Sequence, residues 1–222
     1  MRSSYIENDF GGTLTEYVRS WQPCNYVELG VLDGYSTLAI AKGMAFLEKH
    51  RGTSNLKMHA YDLFDDYQYK HGNKEEVKKL LEENNVSQYV DLIKGDAFKV
   101  HENYPDTVFS WEQEGGGRDR VRGIEFLHID ISNNGDNIRE LMKLWHPKVA
   151  ERGLVLIEGG SQERDEVEWM VKYNMASLKK EIETNEIINT YYDYMTYFNF
   201  PGLTVLLRKW HPINEEELKW KR

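Results

Sequence analysis

Short apolar runs alternate five times with longer segments whose apolar residues return every three to four positions, and this alternation limits the fold more than any single motif does. The runs are Tyr26–Leu29, Met58–Tyr61, Val90–Ile93, Ile124–Ile131 and Leu154–Ile157, each bounded by Gly, Asn or charged residues. A continuous apolar run suits a strand that helices cover on both faces, as in a parallel sheet. Helices are predicted over about Tyr35–Lys49, Lys74–Asn84, Asn137–Val149 and Glu163–Tyr173. Gly153 falls at a helix-to-strand turn, where a residue tolerant of positive φ is favoured. The expected fold is α/β, a doubly wound and mostly parallel sheet.

The C-terminal part breaks this rhythm. Met195–Arg208 holds two apolar runs separated by Pro201-Gly202, a pair suited to a tight reversal, which predicts an antiparallel hairpin bringing the sheet to seven strands. Glu112–Arg122, with Gly115-Gly116-Gly117 among charges, reads as a surface loop. At about 150 residues per domain, 222 residues make one domain: a core over about 26–208, a lead-in over 1–25 and a charged tail over 209–222. Lys and Arg number 28 against 37 Asp and Glu, a net charge of −9, which is the wrong sign for a phosphate-backbone partner. Nowhere do about 18 apolar residues run together as a membrane span requires. Met1–Phe10 carries Glu7 and Asp9 where a secretory signal is apolar, and Cys24 is the single cysteine. These features predict a cytoplasmic protein whose partner is a small molecule, neither nucleic acid nor membrane.

The first strand ends in Glu28-Leu29-Gly30-Val31-Leu32-Asp33-Gly34-Tyr35-Ser36-Thr37 and runs straight into a helix. Two glycines with three residues between them let the backbone approach a ligand, and the amides at the helix start favour an anion. The spacing is neither G-x-G-x-x-G, since Leu32 stands at the middle position and the third glycine is missing, nor a P-loop, since no Gly-Lys-Ser/Thr follows. The simpler alternative is that Gly30 merely turns a strand into a helix. Further acids close later strands: Asp62, Asp96 within Gly95-Asp96-Ala97, and Asp130. In a parallel sheet these share the edge that borders the ligand crevice. One carboxylate can accept from both ribose hydroxyls and another from an adenine amine, so a nucleoside fits. Taken singly, each acid could equally be a helix cap or a surface charge.

Glu28-Leu29-Gly30 through Ser36-Thr37-Leu38 resembles motif I of class I S-adenosylmethionine-dependent methyltransferases, and among them the O-methyltransferase branch. Tyr61-Asp62-Leu63-Phe64, Gly95-Asp96-Ala97, Leu127-His128-Ile129-Asp130 and Gly153-Leu154-Val155-Leu156-Ile157-Glu158 resemble that family's second to fifth strand segments, over roughly Tyr26–Arg208. The resemblance implies a Rossmann-like fold and S-adenosylmethionine (SAM) as cofactor. It implies that Glu28 and the turn Gly30, Val31, Gly34, Tyr35 and Ser36 hold the methionine end, Asp62 and Leu63 the ribose, and Asp96 with Ala97 the adenine. The order of segments is most similar to macrocin-type enzymes, which act on hydroxyls of sugar-bearing products.

Methyl transfer to an alcohol needs alignment and a destination for the proton, either a base or a metal-lowered pKa. By the resemblance, Asp130 is the base or metal ligand, also bordering the cofactor, and Glu158 the second catalytic acid. The relatives place an acidic or amide residue after that acid, where this chain has Gly159. A magnesium site would therefore recruit Asp136, Asn133, Asn134 or water. His128 shares a strand face with Asp130 and is expected to be a hydrogen-bonded core residue, with base as the alternative. The aromatic residues Tyr191, Tyr192, Tyr194, Tyr197, Phe198 and Phe200 either stack on an acceptor or cover a sheet edge, including one between copies in a homo-oligomer. Asp65-Asp66-Tyr67 and the glycine loop at 115–117 are candidate lids. The competing functions are an NAD(P)-type oxidoreductase on a similar sheet and a catalytically silent cofactor-binding domain.

Overall fold

The computed structural model describes residues 3–68, 71–107 and 123–209. Among these, β1 (Asn25–Leu29), β2 (Lys57–Asp62), β3 (Val90–Lys94), β4 (Ile124–Ile129), β5 (Val149–Glu158), β6 (Tyr192–Tyr197) and β7 (Leu203–Arg208) form one sheet in the order β3-β2-β1-β4-β5-β7-β6. The first five pair in parallel, and β7 runs antiparallel to both β5 and β6. The α/β fold class and the closing hairpin are as expected from the sequence. β5 begins earlier than expected and takes in Gly153, so the positive φ assigned to that glycine falls instead on Arg152, at 59°. Gly153 serves close packing, since a Cβ there would stand 2.8 Å from the Ala150 carbonyl oxygen and 2.9 Å from that of Ile124.

The helices are α1 (Phe10–Trp21), α2 (Tyr35–Arg51), α3 (Lys74–Glu83), α4 (Gly135–Trp145), α5 (Gln162–Asp165), α6 (Glu168–Lys172), α7 (Leu178–Thr184) and α8 (Glu186–Tyr191). The helix expected over Glu163–Tyr173 is two short ones, because Val167 is extended at φ −63°, ψ 148°. α1 lies in what reads as a lead-in. Its Gly11 and Gly12 cost about 1 kcal/mol each in a helix, but burial of Phe10, Leu14 and Val18 returns about 1.5–3 kcal/mol per side chain. Asp9 caps it by accepting from the Gly12 amide at 3.2 Å. α7 and α8 were not anticipated either. Asn185 ends the first at φ −68°, ψ 122° and caps the second by accepting from the Ile188 amide at 3.1 Å. The glycine-rich loop at 112–122 and the tail beyond 209 lie outside the described residues.

The period-two alternation of β4 divides the core. Phe126 packs with Tyr26, Leu14, Ile40 and Met44 on the α1–α2 face, whereas Leu127 and Ile129 pack with Ile138, Leu141 and Trp145 on the other. His128 points with Phe126, and the register sets it opposite Glu28 of β1.

Candidate functional site

Because β1 to β5 are parallel, their carboxyl ends share one edge, and the strand order reverses between β1 and β4. A crevice opens at such a reversal. The chain leaves β1 through three left-handed residues, Gly30 (φ 93°), Leu32 (φ 48°) and Gly34 (φ 76°). A Cβ on Gly30 would overlap the Asp130 carbonyl oxygen, so glycine is what lets the end of β1 lie against the end of β4. Gly34 caps α2 without a side-chain hydrogen bond, which leaves the first-turn amides at Tyr35 and Ser36 without a side-chain cap.

Glu28 is fully buried behind this turn. Its Oε2 accepts from Thr37 Oγ1 at 2.6 Å, and its Oε1 lies 3.1 Å from His128 Nδ1. His128 Nε2 lies 3.0 Å from the hydroxyl of Tyr5, which enters from the 3₁₀ turn Ser4–Asn8. His128 is thus the hydrogen-bonded core residue expected. Burial, then the charges of Asp130, Glu158 and Glu28, hold the Tyr5 phenol well above its usual pKa, and Arg164 opposes them weakly. Tyr5 thus ends a buried line that runs through His128 to Glu28, a role for which the sequence carries no local signal.

Asp62 braces the glycine turn. Its Oδ2 accepts from the Val31 and Leu32 amides at 2.7 and 3.0 Å, and its Oδ1 from the Phe64 amide at 2.6 Å. Leu63 opens the next turn, its carbonyl accepting from the Asp66 amide at 3.1 Å. Lys94 pairs with Asp66 at 2.8 Å, and the Tyr67 hydroxyl hydrogen-bonds Ser132 Oγ, so the candidate lid reaches from β3 to the loop after β4. Asp96 Oδ1 accepts from the Phe98 amide at 3.0 Å, and its Oδ2 lies 3.2 Å from Lys99 Nζ. Ala97 is buried beside it, and its carbonyl accepts from Trp145 Nε1 at 2.9 Å.

At the ends of β4 and β5, the Asp130 amide donates to the Leu29 carbonyl at 2.8 Å, and Glu158 Oε1 accepts from Arg164 Nε at 2.9 Å. Burial works against the Arg164 charge, yet Glu158, and beyond it Asp130 and Asp165, hold the guanidinium above its usual pKa. These residues do not fit a magnesium site. One Glu158 oxygen is taken by an arginine, Asn133 is buried with its Nδ2 tied to the Ile129 and Glu158 carbonyls, and Gly159, at φ 107°, has no side chain to offer. Asn134 Oδ1 caps α4 through the Asp136 and Asn137 amides, and Asp136 is exposed and paired with Arg139 at 2.8 Å. Among the described residues no three His, Cys, Asp or Glu side chains converge as metal ligands.

The aromatic cluster runs from the end of α8 through the edge strand β6 into the turn beyond it. Tyr192 is buried and the Tyr197 hydroxyl meets that of Tyr17 at 3.0 Å, whereas Tyr194 and Phe198 are exposed. Among the described residues no helix is long and apolar enough to cross a membrane.

Residues 27–158 match a family model described as a methyltransferase domain. No curated protein sequence matches the chain significantly. Solved structures similar to it include a putative O-methyltransferase from Klebsiella pneumoniae, at 14% identity and TM-score 0.61 over 91% of this chain and 81% of that one. The O-methyltransferase TomG from Streptomyces achromogenes, involved in tomaymycin synthesis and solved with SAM, matches at 13% identity and TM-score 0.61 over 91% and 80%. An O-methyltransferase from Bacillus cereus in complex with SAH matches at 14% and 0.61 over 91% and 81%.

Proposed function

The chain belongs to the methyltransferase-domain family, and we propose that it moves the methyl group of SAM to a hydroxyl oxygen of a small molecule, of the sugar-bearing or related natural-product kind. The observation that carries this reading is the uncapped start of α2 set directly above buried Glu28, with Asp62, Asp96 and Asp130 at successive strand ends of the same edge. Free amides at a helix start suit the methionine carboxylate of the cofactor. Glu28, with both oxygens engaged by Thr37 and His128, contributes negative charge from behind the turn. Asp62 holds Val31 and Leu32 in place and keeps lone-pair capacity on Oδ1 for a ribose hydroxyl, with Leu63 alongside. Asp96 and Ala97 border the adenine.

SAM supplies a methyl carbon on a sulfonium: the acceptor oxygen bonds that carbon as the carbon–sulfur pair returns to sulfur, leaving S-adenosylhomocysteine (SAH). The chain's part is to align the acceptor and to take its proton, for which Asp130 is the base. The net charge of −9 favours a small acceptor over nucleic acid, and a lone cysteine accords with a reducing cytoplasm. Methyl-tritiated SAM incubated with a panel of sugar-bearing and phenolic alcohols tests the reaction. Label is expected in an extractable product. A protein that binds SAH yet labels none of the panel would instead be a silent cofactor-binding domain.

A further inference from the structure

Three touching buried side chains each keep one polar atom without a hydrogen-bond partner among the described residues: Asn133 Oδ1, Glu158 Oε2 and Arg164 Nη1. The Glu158 side chain is 3% exposed and that of Arg164 8%. Arginine commonly grips a carboxylate with two parallel bonds. Here only Nε reaches Glu158, while Nη2 turns to the Asn133 carbonyl at 3.5 Å and Asn133 Nδ2 donates to the Glu158 carbonyl at 2.9 Å. The arrangement is locked. Gly159 and Gly160, at φ 107° and 104°, turn the chain back after β5, and Ser161 Oγ accepts from the Arg164 amide at 3.2 Å, which sets residue 164 facing residue 158. The Trp169 ring lies 5.1 Å from the guanidinium carbon.

We propose that the Arg164 guanidinium, placed against Glu158 where β5 ends beside the Asp130 end of β4, is a built-in cation standing where a divalent metal would otherwise bind. A metal at Glu158 Oε2 would stand a few ångströms from that same charge and be repelled. The exclusion of metal does not rest on the methyltransferase reading.

The test titrates Mn²⁺ by electron paramagnetic resonance, without cofactor, into the wild type, Asp130→Asn, Arg164→Gln, Arg164→Lys and the double variant Arg164→Gln/Asp130→Asn. Expected are no site-bound Mn²⁺ at millimolar metal for the wild type and Arg164→Lys, a gain in affinity of about tenfold or more in Arg164→Gln, and loss of that gain in the double variant. One Mn²⁺ bound by the wild type and released by Asp130→Asn overturns the proposal, and this arm decides even where Arg164→Gln does not fold. A folded Arg164→Gln that gains no Mn²⁺ also overturns it. SAH calorimetry on the same wild-type sample reads the cofactor assignment separately.

Discussion

Tyr5 and His128 stand 123 positions apart in the chain and meet at 3.0 Å between the phenol oxygen and Nε2, closing a buried line from the N-terminal turn through Glu28 to Thr37 on α2. Tyr5→Phe leaves a ring nitrogen of fully buried His128 without its partner. Urea unfolding is expected to register a loss of about 1–3 kcal/mol. No loss would mean that the contact contributes nothing to stability.

The raised pKa of Tyr5 has an alkaline consequence. The unfolded phenol titrates near pH 10 and the folded one well above it, so between these values the unfolded state binds fewer protons. The stabilisation is therefore complete below about pH 10 and is lost as pH rises through the folded value. Tyr26, Tyr104 and Tyr192 are raised in the same direction by burial and keep their share. Stability measured against pH in this window should fall less steeply for Tyr5→Phe, and an identical slope would contradict the assignment.

Asp62 serves the turn before it serves any ligand. Asp62→Ala removes the acceptor of three backbone amides, so melting should show a loss of about 1–3 kcal/mol. SAH affinity should fall about tenfold or more as the turn loosens. A variant with unchanged stability and weakened binding would make Asp62 a ligand contact alone.

Gly30 and Gly52 both have positive φ, at 93° and 67°, but only Gly30 is crowded, by the Asp130 carbonyl. Gly52→Ala should cost about 1 kcal/mol, the left-handed penalty alone. Gly30→Ala adds displacement of β4 and should cost about 3 kcal/mol or more, with loss of SAH binding. Equal effects of the two substitutions would show that the close approach of β1 to β4 is unimportant.

Asp130→Asn keeps size and most polarity but removes the proton acceptor. Methyl transfer should fall by about 10²–10⁴-fold with SAH affinity nearly unchanged. Unaltered turnover removes Asp130 from the chemistry.

Legibility in the sequence followed locality. The five parallel strands, the hairpin at Pro201-Gly202 and the acids at strand ends were readable because each depends on a few neighbouring residues and a short period. α1 was hidden by Gly11 and Gly12, although Asp9 three residues before Gly12 is a cap signal in plain view. Tyr5 was illegible because its partner lies on the fourth strand. Arg164 read as part of an ordinary helix, since it meets Glu158 only through the left-handed turn at Gly159 and Gly160, and a pair of glycines straight after a buried strand acid is the cue that could have exposed it. Asp62 was found for its position, but its grip on the Val31 and Leu32 amides needs the folded turn to be seen.

The most direct measurement is isothermal calorimetry of the purified wild type with SAH. Saturable binding to one site per chain is expected, abolished by Gly30→Asp, which thrusts a charged side chain into the contact between β1 and β4. Absence of any heat of binding from a folded wild-type sample, or binding that Gly30→Asp leaves intact while that variant stays folded, would contradict the proposed function.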